Sequence, residues 1–498
     1  PGHGPGPANL FAHSFRNTIK AAMDSAEKPR FGIGIDYGTS NSAAAIFDGE
    51  RVHLVQLEAS NNIMPSATYI DRDFRISTGQ RAIDLYIESN TGRTVELSAE
   101  VLGEGRSSTG QIGDRGLPEE ASTEKVYGQS FVDGGQTGRL FRGIKRLLGN
   151  TSQSRLMVFD RPFRLVALIT PLLLRIHAAV STLMHKLKQN DPCDKACIGH
   201  PVNFEGSGID RNNTALGLLS EAYGYAGFTR QSFYPEPIAA ALSYLHGYPD
   251  ARQQTLLAVD FGGGTLDLCI LARQGEQFSV TATHGIGLGG DHIDQLLFRE
   301  LLFPLFGKGE RWRRAGEDRE IETLFPFEEY EEFLLNWAVS YMLNQNRYTT
   351  PLMQRIQYGD EAAVKFQRLY DLIKNNYSYL VFQSLKDLKA RLSDDESALL
   401  DIPELDIEIT LERSEFERLI NPLLDRFSQA VHKVIEQAGL GHTDIDLVIR
   451  TGGSCLIPAV KNELDRLFPD KVVEHDPFTS VAAGLAIADY RGLGSPQP

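Results

Sequence analysis

Residues 256–270 read LLAVDFGGGTLDLCI, and this stretch predicts two buried strands joined by a turn of three glycines. Because glycine has no Cβ, such a turn can bring several backbone N–H groups close to an anion. The carboxylates of Asp260 and Asp267 would repel a bare phosphate. They therefore indicate a bridging cation, and oxygen ligands of this kind suit Mg²⁺. Taken alone, the stretch favours a plain hairpin with two solvated carboxylates.

The same pattern occurs near the beginning of the chain, where residues 32–46 read GIGIDYGTSNSAAAI. There Asp36 is followed by an aromatic residue, a glycine and small hydroxyl residues, as Asp260 is followed by Phe261 and three glycines. The repeated turn of aspartate, aromatic residue and glycine indicates an internal duplication. Two such hairpins that face each other would hold a polyphosphate from both sides, and this is the central hypothesis.

Length and composition limit the class of protein. A chain of 498 residues, with 42% apolar and 23% charged residues, is typical of a globular protein with two large lobes. The net charge of −15 argues against nucleic acid or an anionic membrane as the main partner. The longest apolar stretch, residues 165–187, contains Pro171 and Arg175, and it predicts a buried amphipathic helix rather than a membrane span.

The cysteines indicate the cellular compartment. Cys193 and Cys197 lie in a predicted polar loop, without the second pair of ligands that a structural zinc site would need. We interpret these two, together with Cys269 and Cys455, as free thiols in the reducing cytoplasm. No signal peptide is recognisable in the sequence, which agrees with that location.

Two charged residues stand out on predicted helices. Residues 141–149 (FRGIKRLLG) predict a short helix that carries Lys145 at the edge of its apolar face. A lone lysine is usually a solvated side chain, and the alternative is a lysine that reaches a γ-phosphate. Glu236 precedes Pro237 at a predicted helix N-terminus. It is either a favourable first-turn carboxylate or a group that orients a metal-bound water or senses the nucleotide.

Two further glycine-rich turns are candidates for contacts with a nucleoside. Residues 446–458 (DLVIRTGGSCLIP) predict a strand, a double-glycine turn and a helix. The backbone of such a turn can lie flat against a base or ribose, although a tight turn without a ligand fits as well. Residues 285–294 (GIGLGGDHID) predict a loop in which Asp291 caps the next helix.

These motifs together resemble the nucleotide-binding domain of the Hsp70 chaperone family, which belongs to the superfamily of actin, Hsp70 and the sugar kinases. Six segments carry the resemblance, in the family's order: GIDYGTSNS (34–42), FRGIKRLLG (141–149), YPEPIAAAL (234–242), VDFGGGTLD (259–267), GLGGDHID (287–294) and GGSCLIP (452–458). The resemblance implies a two-lobed, actin-like α/β ATPase fold with duplicated ribonuclease H-like β-sheet cores. It also implies ATP or ADP with Mg²⁺ in the cleft, and leaves K⁺ open as a further ion.

Composition and the resemblance together predict a division of the chain. The expected parts are an N-terminal tail (1–30), lobe I (31–247) with a partly mobile surface insertion (89–138), lobe II (248–490) with a mainly helical, lid-like subdomain (307–393), and a C-terminal tail (491–498). Protein partners, either a co-chaperone or a client, are expected besides the nucleotide.

Position by position, the resemblance implies a set of site residues. Catalytic roles fall to Asp36, Lys145, Glu236, Asp260, Thr265 and Asp267. Nucleotide binding falls to Gly38, Thr39, Ser40, Asn41, Gly262, Gly263, Gly264, Thr265, Gly289, Gly290, Lys389, Ser393, Gly452, Gly453, Ser454 and Asp476. Asp36 and Asp260 would hold Mg²⁺ through water molecules, and Lys145 would contact the γ-phosphate and the attacking water. Pro201 and Arg211 fall at the family's interlobe switch.

The sequence departs from the family pattern in two ways. It ends soon after the last predicted helix, which is similar to the truncated, YegD-type bacterial members and leaves no peptide-binding domain. The adenosine clamp is altered as well, because Lys386 replaces a usual glutamate while Ala390 and Leu456 replace arginines that would stack on the base. The loss of two stacking guanidinium groups should weaken base binding by about 1–2 kcal/mol.

Three functions are consistent with these features. The first is a slow Hsp70-like ATPase, which the complete set of phosphate-side residues favours. The second is a nucleotide-dependent interaction module with little or no hydrolysis, which the lack of a peptide-binding domain favours. The third is a sugar-kinase-like phosphotransferase; it ranks last, since the sequence offers no separate catalytic aspartate for an acceptor.

Overall fold

A computed structural model describes residues 31–95, 97–107, 122–150, 155–188, 192–205, 210–248, 253–275, 277–315 and 320–495. The predicted N-terminal tail and residues 96 and 108–121 of the predicted insertion lie outside the described residues. The described residues form two lobes, each built on one mixed β-sheet.

The first half of the chain contributes the elements of the first lobe. Its strands are β1 (Gly32–Tyr37), β2 (Asn41–Phe47), β3 (Val52–Leu54), β4 (Met64–Pro65), β5 (Ala67–Asp71), β6 (Ile76–Thr78), β7 (Leu97–Ser107), β8 (Ser122–Asp133), β9 (Gly138–Arg142), β10 (Arg155–Val158), β11 (Arg161–Arg164), β12 (Lys195–His200) and β13 (Arg230–Pro235). Its helices are α1 (Gln80–Asn90), α2 (Leu165–Lys186), α3 (Arg211–Tyr225) and α4 (Glu236–Gly247).

The second half of the chain begins with the glycine-turn hairpin. Its strands are β14 (Thr255–Phe261), β15 (Leu266–Gln274), β16 (Gln277–Ile286), β17 (Arg311–Ala315), β18 (Glu320–Leu324), β19 (Ser397–Ile402), β20 (Ile407–Glu412), β21 (Leu447–Thr451) and β22 (Val472–Glu474). Its α-helices are α5 (Gly290–Leu297), α6 (Glu328–Leu334), α7 (Asn346–Ile356), α8 (Ala363–Lys374), α9 (Ser378–Asp394), α10 (Arg413–Gln437), α11 (Pro458–Leu467) and α12 (Ser480–Arg491). Short 3₁₀ or π turns cover Ile144–Leu147, Phe298–Leu302, Pro304–Phe306, Ser340–Asn344, Pro403–Leu405, His442–Asp444 and Gly453–Leu456.

The two main sheets have the same topology. Their strand orders are β13-β12-β1-β2-β3, with β4 beside β2, and β22-β21-β14-β15-β16. In each sheet the central strand, β1 or β14, pairs antiparallel with its hairpin partner on one side and parallel with a later strand on the other. The outer strands repeat the relation, since β13 and β22 are both parallel to their neighbours. The shared topology confirms the predicted internal duplication.

Two helices lie between the sheets and join the lobes. Helix α12 packs against the first sheet, although it comes from the second half of the chain: its Ala482, Leu485 and Ala486 share an apolar cluster with residues of β2 and β12. Helix α4, from the first half, packs Ile238 and Ala241 against the second sheet. The predicted boundary between lobes, which assigned residues 248–490 to lobe II, therefore separates α12 from the sheet that it covers.

The C-terminal residues after α12 continue this attachment to the first lobe. The backbone of Ser495 exchanges two hydrogen bonds with Phe233 of β13, with N···O distances of 2.8 and 3.0 Å. Asp489 of α12 accepts a hydrogen bond from the backbone N–H of Ile33 at 3.0 Å and lies 3.0 Å from the ammonium group of Lys195. The described residues of the predicted C-terminal tail are thus held against the sheet.

Helix α2 contains the longest apolar stretch, as predicted. By length and composition alone it is the one helix among the described residues that could cross a membrane. Residues along its length, including Leu168, Leu172, Ile176 and Val180, are buried in the core of the first lobe. Its apolar character is therefore explained by packing inside the protein, in agreement with the predicted buried helix.

The lobes also contact each other on the side of the insertion and the helical subdomain. Tyr86 of α1 lies between Trp337 and Tyr379 of the second lobe, with ring centroids 5.7 and 5.2 Å away, and the latter two rings are 4.8 Å apart. A side-chain hydrogen bond from Asn376 to the carbonyl oxygen of Asn90, 3.0 Å long, lies beside these rings. We call Tyr86, Trp337 and Tyr379 the aromatic clasp.

Three local predictions differ from the structure. Phe141 belongs to β9, and only the 3₁₀ turn Ile144–Leu147 is helical, because Gly143 takes a left-handed conformation (φ 68°) that separates the two elements. Cys197 lies buried in β12 rather than in a polar loop. Asp291 is in the first turn of α5, whose cap position is occupied by Gly289.

The contact between α4 and α12 provides a test of this architecture. A Cβ at Gly484 would lie 1.8 Å from the carbonyl oxygen of Ala239, whereas a Cβ at Gly217, inside α3, would meet no atom within 4 Å. We expect Gly484→Ala to destabilise the protein by roughly 1–3 kcal/mol, since the helices must separate. Gly217→Ala should instead stabilise it by about 0.5–1 kcal/mol. Denaturant unfolding of both variants checks this, and equal effects would contradict the described packing.

Candidate functional site

A cavity of about 880 Å³ lies between the turns of the two duplicated hairpins. The first turn, between β1 and β2, and the second turn, between β14 and β15, face each other so closely that a Cβ at Gly263 would lie 2.5 Å from the hydroxyl of Ser40. Because the two residues come from different lobes, the cavity is shared by both. This is the arrangement that the central hypothesis requires.

Most of the predicted site residues line this cavity. The predicted residues along its wall are Asp36, Gly38, Thr39, Ser40, Asn41, Lys145, Glu236, Asp260, Gly262, Gly263, Gly264, Thr265, Asp267, Gly290, Lys389, Ser393, Gly452, Gly453 and Ser454. Gly289 and Asp476 lie behind the wall. A Cβ at Gly289 would lie 2.4 Å from the carbonyl oxygen of Gly263, and Asp476 accepts backbone hydrogen bonds from Phe478 and Thr479 at 3.0 Å, so both support the turns.

The second turn is fixed by hydrogen bonds at its edges. The N–H of Gly262 donates to the carbonyl of Thr265 at 3.0 Å, and the hydroxyl of Ser454 donates to the carbonyl of Gly262 at 2.9 Å. Within the described residues the backbone N–H groups of Gly263 and Gly264 donate to no other residue. Unpaired amides in a rigid glycine turn at a cavity wall are available to an anion.

One end of the cavity concentrates carboxylates around a buried lysine. The ammonium group of Lys145 donates to Oε1 of Glu236 at 2.6 Å, and Lys145 is only 6% exposed. The alternative of a solvated lysine is therefore wrong. Burial by itself would lower the pKa of Lys145, but Glu236, Asp36 and Asp260 together raise it. The lysine is held charged at this end of the cavity, which we call the phosphate end after the ligand that the sequence predicts there.

The aspartates at this end are strongly perturbed. Burial, with repulsion from Glu236 and Asp260, raises the pKa of Asp36 to about 8, although Lys145 opposes the shift. Burial, with repulsion from Asp267 and Glu236, raises the pKa of Asp260 to about 7. Each carboxylate would be stabilised by a cation between the two lobes.

The residues present fit a magnesium ion that is held through water. Among the described residues no group of three or more His, Cys, Asp and Glu side chains is arranged to bind a metal directly. Mg²⁺ commonly keeps several water ligands and uses one or two carboxylates. Asp36 and Asp260, which repel each other across the cleft, satisfy that requirement.

The opposite end of the cavity carries both apolar and charged side chains, and Asp394 and Lys461 are among the charged ones. Ala390 and Leu456 line it, together with Ile457 and Phe478. Lys389 donates to the carbonyl of Gly290 at 2.8 Å and lies 2.5 Å from the buried carboxylate of Asp294. Its charge is thus balanced inside the protein. Lys386 is paired in the same way with Asp291, at 3.2 Å.

Sequence reasoning did not find every polar residue of the cavity. Arg146 and Glu205 line its phosphate end as an ion pair, with the Nε of Arg146 2.8 Å from Oε1 of Glu205. They are separated by 59 positions in the chain, so no local pattern indicates the pair. Pro201 also lines the cavity. Together with Arg211 it lines a second cavity of about 370 Å³ that shares the carboxylate wall.

Comparison with known proteins agrees with this geometry. A family model described as Hsp70 protein matches residues 175–321 and 367–489. The chaperone protein HscA homolog of Rickettsia prowazekii (strain Madrid E) is 24% identical over 467 residues, covering 93% of this chain and 57% of that protein. The chaperone protein HscA homolog of Rickettsia typhi (strain ATCC VR-144 / Wilmington) is also 24% identical, covering 93% and 58%. The chain thus spans less than two thirds of the length of these relatives.

The raised pKa values predict how stability changes with pH. The pKa of Asp36 rises in the folded protein from 3.8 to about 8, so the folded state keeps a proton that the unfolded chain releases. Stability therefore falls as the pH rises through this window. We expect Asp36→Asn to remove part of this loss of stability, because asparagine does not titrate. The free energy of unfolding of the variant, relative to that of the wild type, should be roughly 1–3 kcal/mol more favourable at pH 8 than at pH 5.

Thermal unfolding at the two pH values measures this difference. Asp401→Asn is the matched control, because Asp401 is exposed on β19. A pH dependence shared by both variants would show that burial of Asp36 is not its source.

Proposed function

This chain belongs to the Hsp70 family, and from that premise we propose that it binds ATP with Mg²⁺ between its two lobes and hydrolyses it slowly. The single observation that carries the proposal is the approach of the two glycine turns, from different lobes, across a cavity that also contains the buried Lys145. A triphosphate in this position would meet backbone N–H groups from both sides.

Hydrolysis of a phosphoanhydride needs positioning and charge neutralisation more than covalent chemistry. We assign charge neutralisation to Lys145, whose ammonium group would contact the terminal phosphate and the attacking water. Glu236, hydrogen-bonded to that ammonium group at 2.6 Å, keeps it oriented and can accept a hydrogen bond from the water. Mg²⁺, held by Asp36 and Asp260 through water, would add positive charge near the phosphates.

The second turn contributes to the same step. Its amides and the hydroxyl of Thr265 face the position proposed for the β- and γ-phosphates. Thr265 donates its hydroxyl hydrogen to Asp267 at 2.8 Å, which fixes the side chain. Burial raises the pKa of Asp267 to about 6, and the hydrogen bond from Thr265 opposes that shift. Asp267 therefore supports the geometry of the turn and the water network.

Cofactor, partners and location complete the proposal. ADP should bind at the same place as ATP, and K⁺ is a further candidate ion. A protein partner, either co-chaperone or client, would respond to the bound nucleotide. We place the protein in the cytoplasm, as the four cysteines form no disulfide bond.

A nucleotide-dependent interaction module with little hydrolysis is the second candidate. The aromatic clasp favours it, because contacts across the cleft couple the relative position of the lobes to what the cavity holds. A pull-down with ATP and with ADP separates the two candidates: a partner retained by only one nucleotide, without measurable turnover, supports the module. No described feature favours a sugar kinase.

Lys145 tests the catalytic assignment. We expect Lys145→Met to lower the single-turnover rate of ATP hydrolysis by about 10²-fold or more, since a preorganised charge on the transferring group is lost. ATP affinity should fall much less. Lys186→Ala, which removes an exposed lysine of α2, is the control. An unchanged rate in Lys145→Met would show that the residue is not catalytic.

The nucleoside end gives a gain-of-affinity test. Leu456 lines that end of the cavity, and an arginine there could stack on a purine base. Since such stacking contributes about 0.5–2 kcal/mol, Leu456→Arg should tighten ATP binding by about 2- to 30-fold without changing the hydrolysis rate. Calorimetry with ATP, ADP and GTP measures this. Weaker binding in the variant would place the base elsewhere.

A further inference from the structure

Arg146 lies at the junction of the two lobes. It belongs to the 3₁₀ turn Ile144–Leu147 of the first lobe, next to Lys145. Its guanidinium group nevertheless lies over the second turn: Nη1 is 3.2 Å, and Cζ 3.5 Å, from the position that a Cβ would take at Gly264. Arg146 therefore spans the gap between the lobes at the phosphate end of the cavity.

Glu205, the partner of Arg146, engages only the Nε of the guanidinium group. Its Nε lies 2.8 and 3.0 Å from the two carboxylate oxygens of Glu205. In the described part of the chain, its two Nη groups donate no hydrogen bond to protein. Arginine offers five N–H groups in a fixed fork that matches a phosphate. The free side of this fork is available to a ligand in the cavity.

This ion pair contributes little to the stability of the folded protein. The side chains of Arg146 and Glu205 are each 40% exposed, and exposed ion pairs typically contribute about 0–1 kcal/mol to stability. A pair that adds little stability but lines a cavity can exchange partners at low cost.

The negative charge at this end of the cavity favours a further cation besides Lys145 and the Mg²⁺ proposed above. Asp36, Asp260 and Asp267 line it, and the ammonium group of Lys145 is already paired with Glu236. A triphosphate adds several negative charges to this group of carboxylates. The guanidinium group of Arg146, which lies over the second turn, can offset part of that charge.

We propose that Arg146 is a second phosphate-contacting residue, which Glu205 holds beside the second turn and which passes from Glu205 to the terminal phosphate when a nucleoside triphosphate binds. The inference rests on the proposed function and names the group at that site that distinguishes a triphosphate from a diphosphate. Because the contact joins a first-lobe side chain to phosphate held by the second lobe, it forms only when the terminal phosphate is present.

Calorimetry with ATP and ADP in the presence of Mg²⁺, combined with single-turnover hydrolysis, tests the proposal. Arg146→Ala should weaken ATP binding by about tenfold, the loss of one charge-assisted hydrogen-bond pair, and ADP binding by much less. Arg146→Lys should be intermediate, because lysine keeps the charge but not the fork. Glu205→Gln should bind ATP as well as or better than the wild type, since it removes the competing carboxylate.

Arg164→Ala is the matched control. Arg164 forms an exposed ion pair with Glu221, with side chains 50% and 30% exposed, and neither residue lines the cavity. If Arg146→Ala bound ATP as tightly as Arg164→Ala and the wild type do, the proposed role of Arg146 would be overturned, while ATP binding itself would stand. If the wild type bound neither nucleotide, the proposed function would fail together with this inference, and the wild-type titration alone reveals that.

Discussion

The removal of Asp36 and Asp260 from water, beside Glu236, is the constraint on which the site depends. The two carboxylates are buried at the ends of equivalent strands, one from each lobe, and each is close enough to Glu236 for its pKa to rise. Such a group either keeps its proton or needs a cation nearby when it is ionised. Lys145 supplies one positive charge inside the protein. The cavity is therefore suited to anions that arrive with a cation, which is the form in which nucleotides bind.

The two lobes are held in a fixed relation by contacts on both sides of the cavity. Below it, α12 of the second half of the chain packs on the first sheet, and α4 of the first half packs on the second sheet. The two helices contact each other at Gly484 and Ala239. Across the cleft, the aromatic clasp joins α1 to the helical subdomain. The first contact is a buried helix pair. The second is a small aromatic cluster beside two hydrogen bonds, from the side chain of Asn376 to the carbonyl of Asn90 and from the N–H of Gly92 to the carbonyl of Asn375. Opening of the cleft therefore costs less at the clasp than at the helices.

Local pattern and chain distance explain what could be predicted from the sequence. The duplicated hairpins follow from contiguous signals, an aspartate and glycines between apolar runs, and most residues that the six motifs single out line one cavity. The helix expected at Phe141 failed because its apolar spacing imitates a helix, while Gly143 starts a new element. The pairing of Arg146 with Glu205, and the contact of Tyr86 with Trp337, depend on tertiary packing between distant segments, which no local pattern records.

The two ends of the cavity use different physical interactions. At the phosphate end, backbone amides, Lys145 and the half-free Arg146 offer charge and directed hydrogen bonds. At the opposite end, Lys386 and Lys389 are paired with Asp291 and Asp294, and Ala390 and Leu456 offer apolar surface to a ligand. Directed contacts discriminate strongly, whereas apolar contacts distinguish similar rings only weakly. A nucleotide bound as we propose would therefore be selected mainly through the directed contacts to its phosphates.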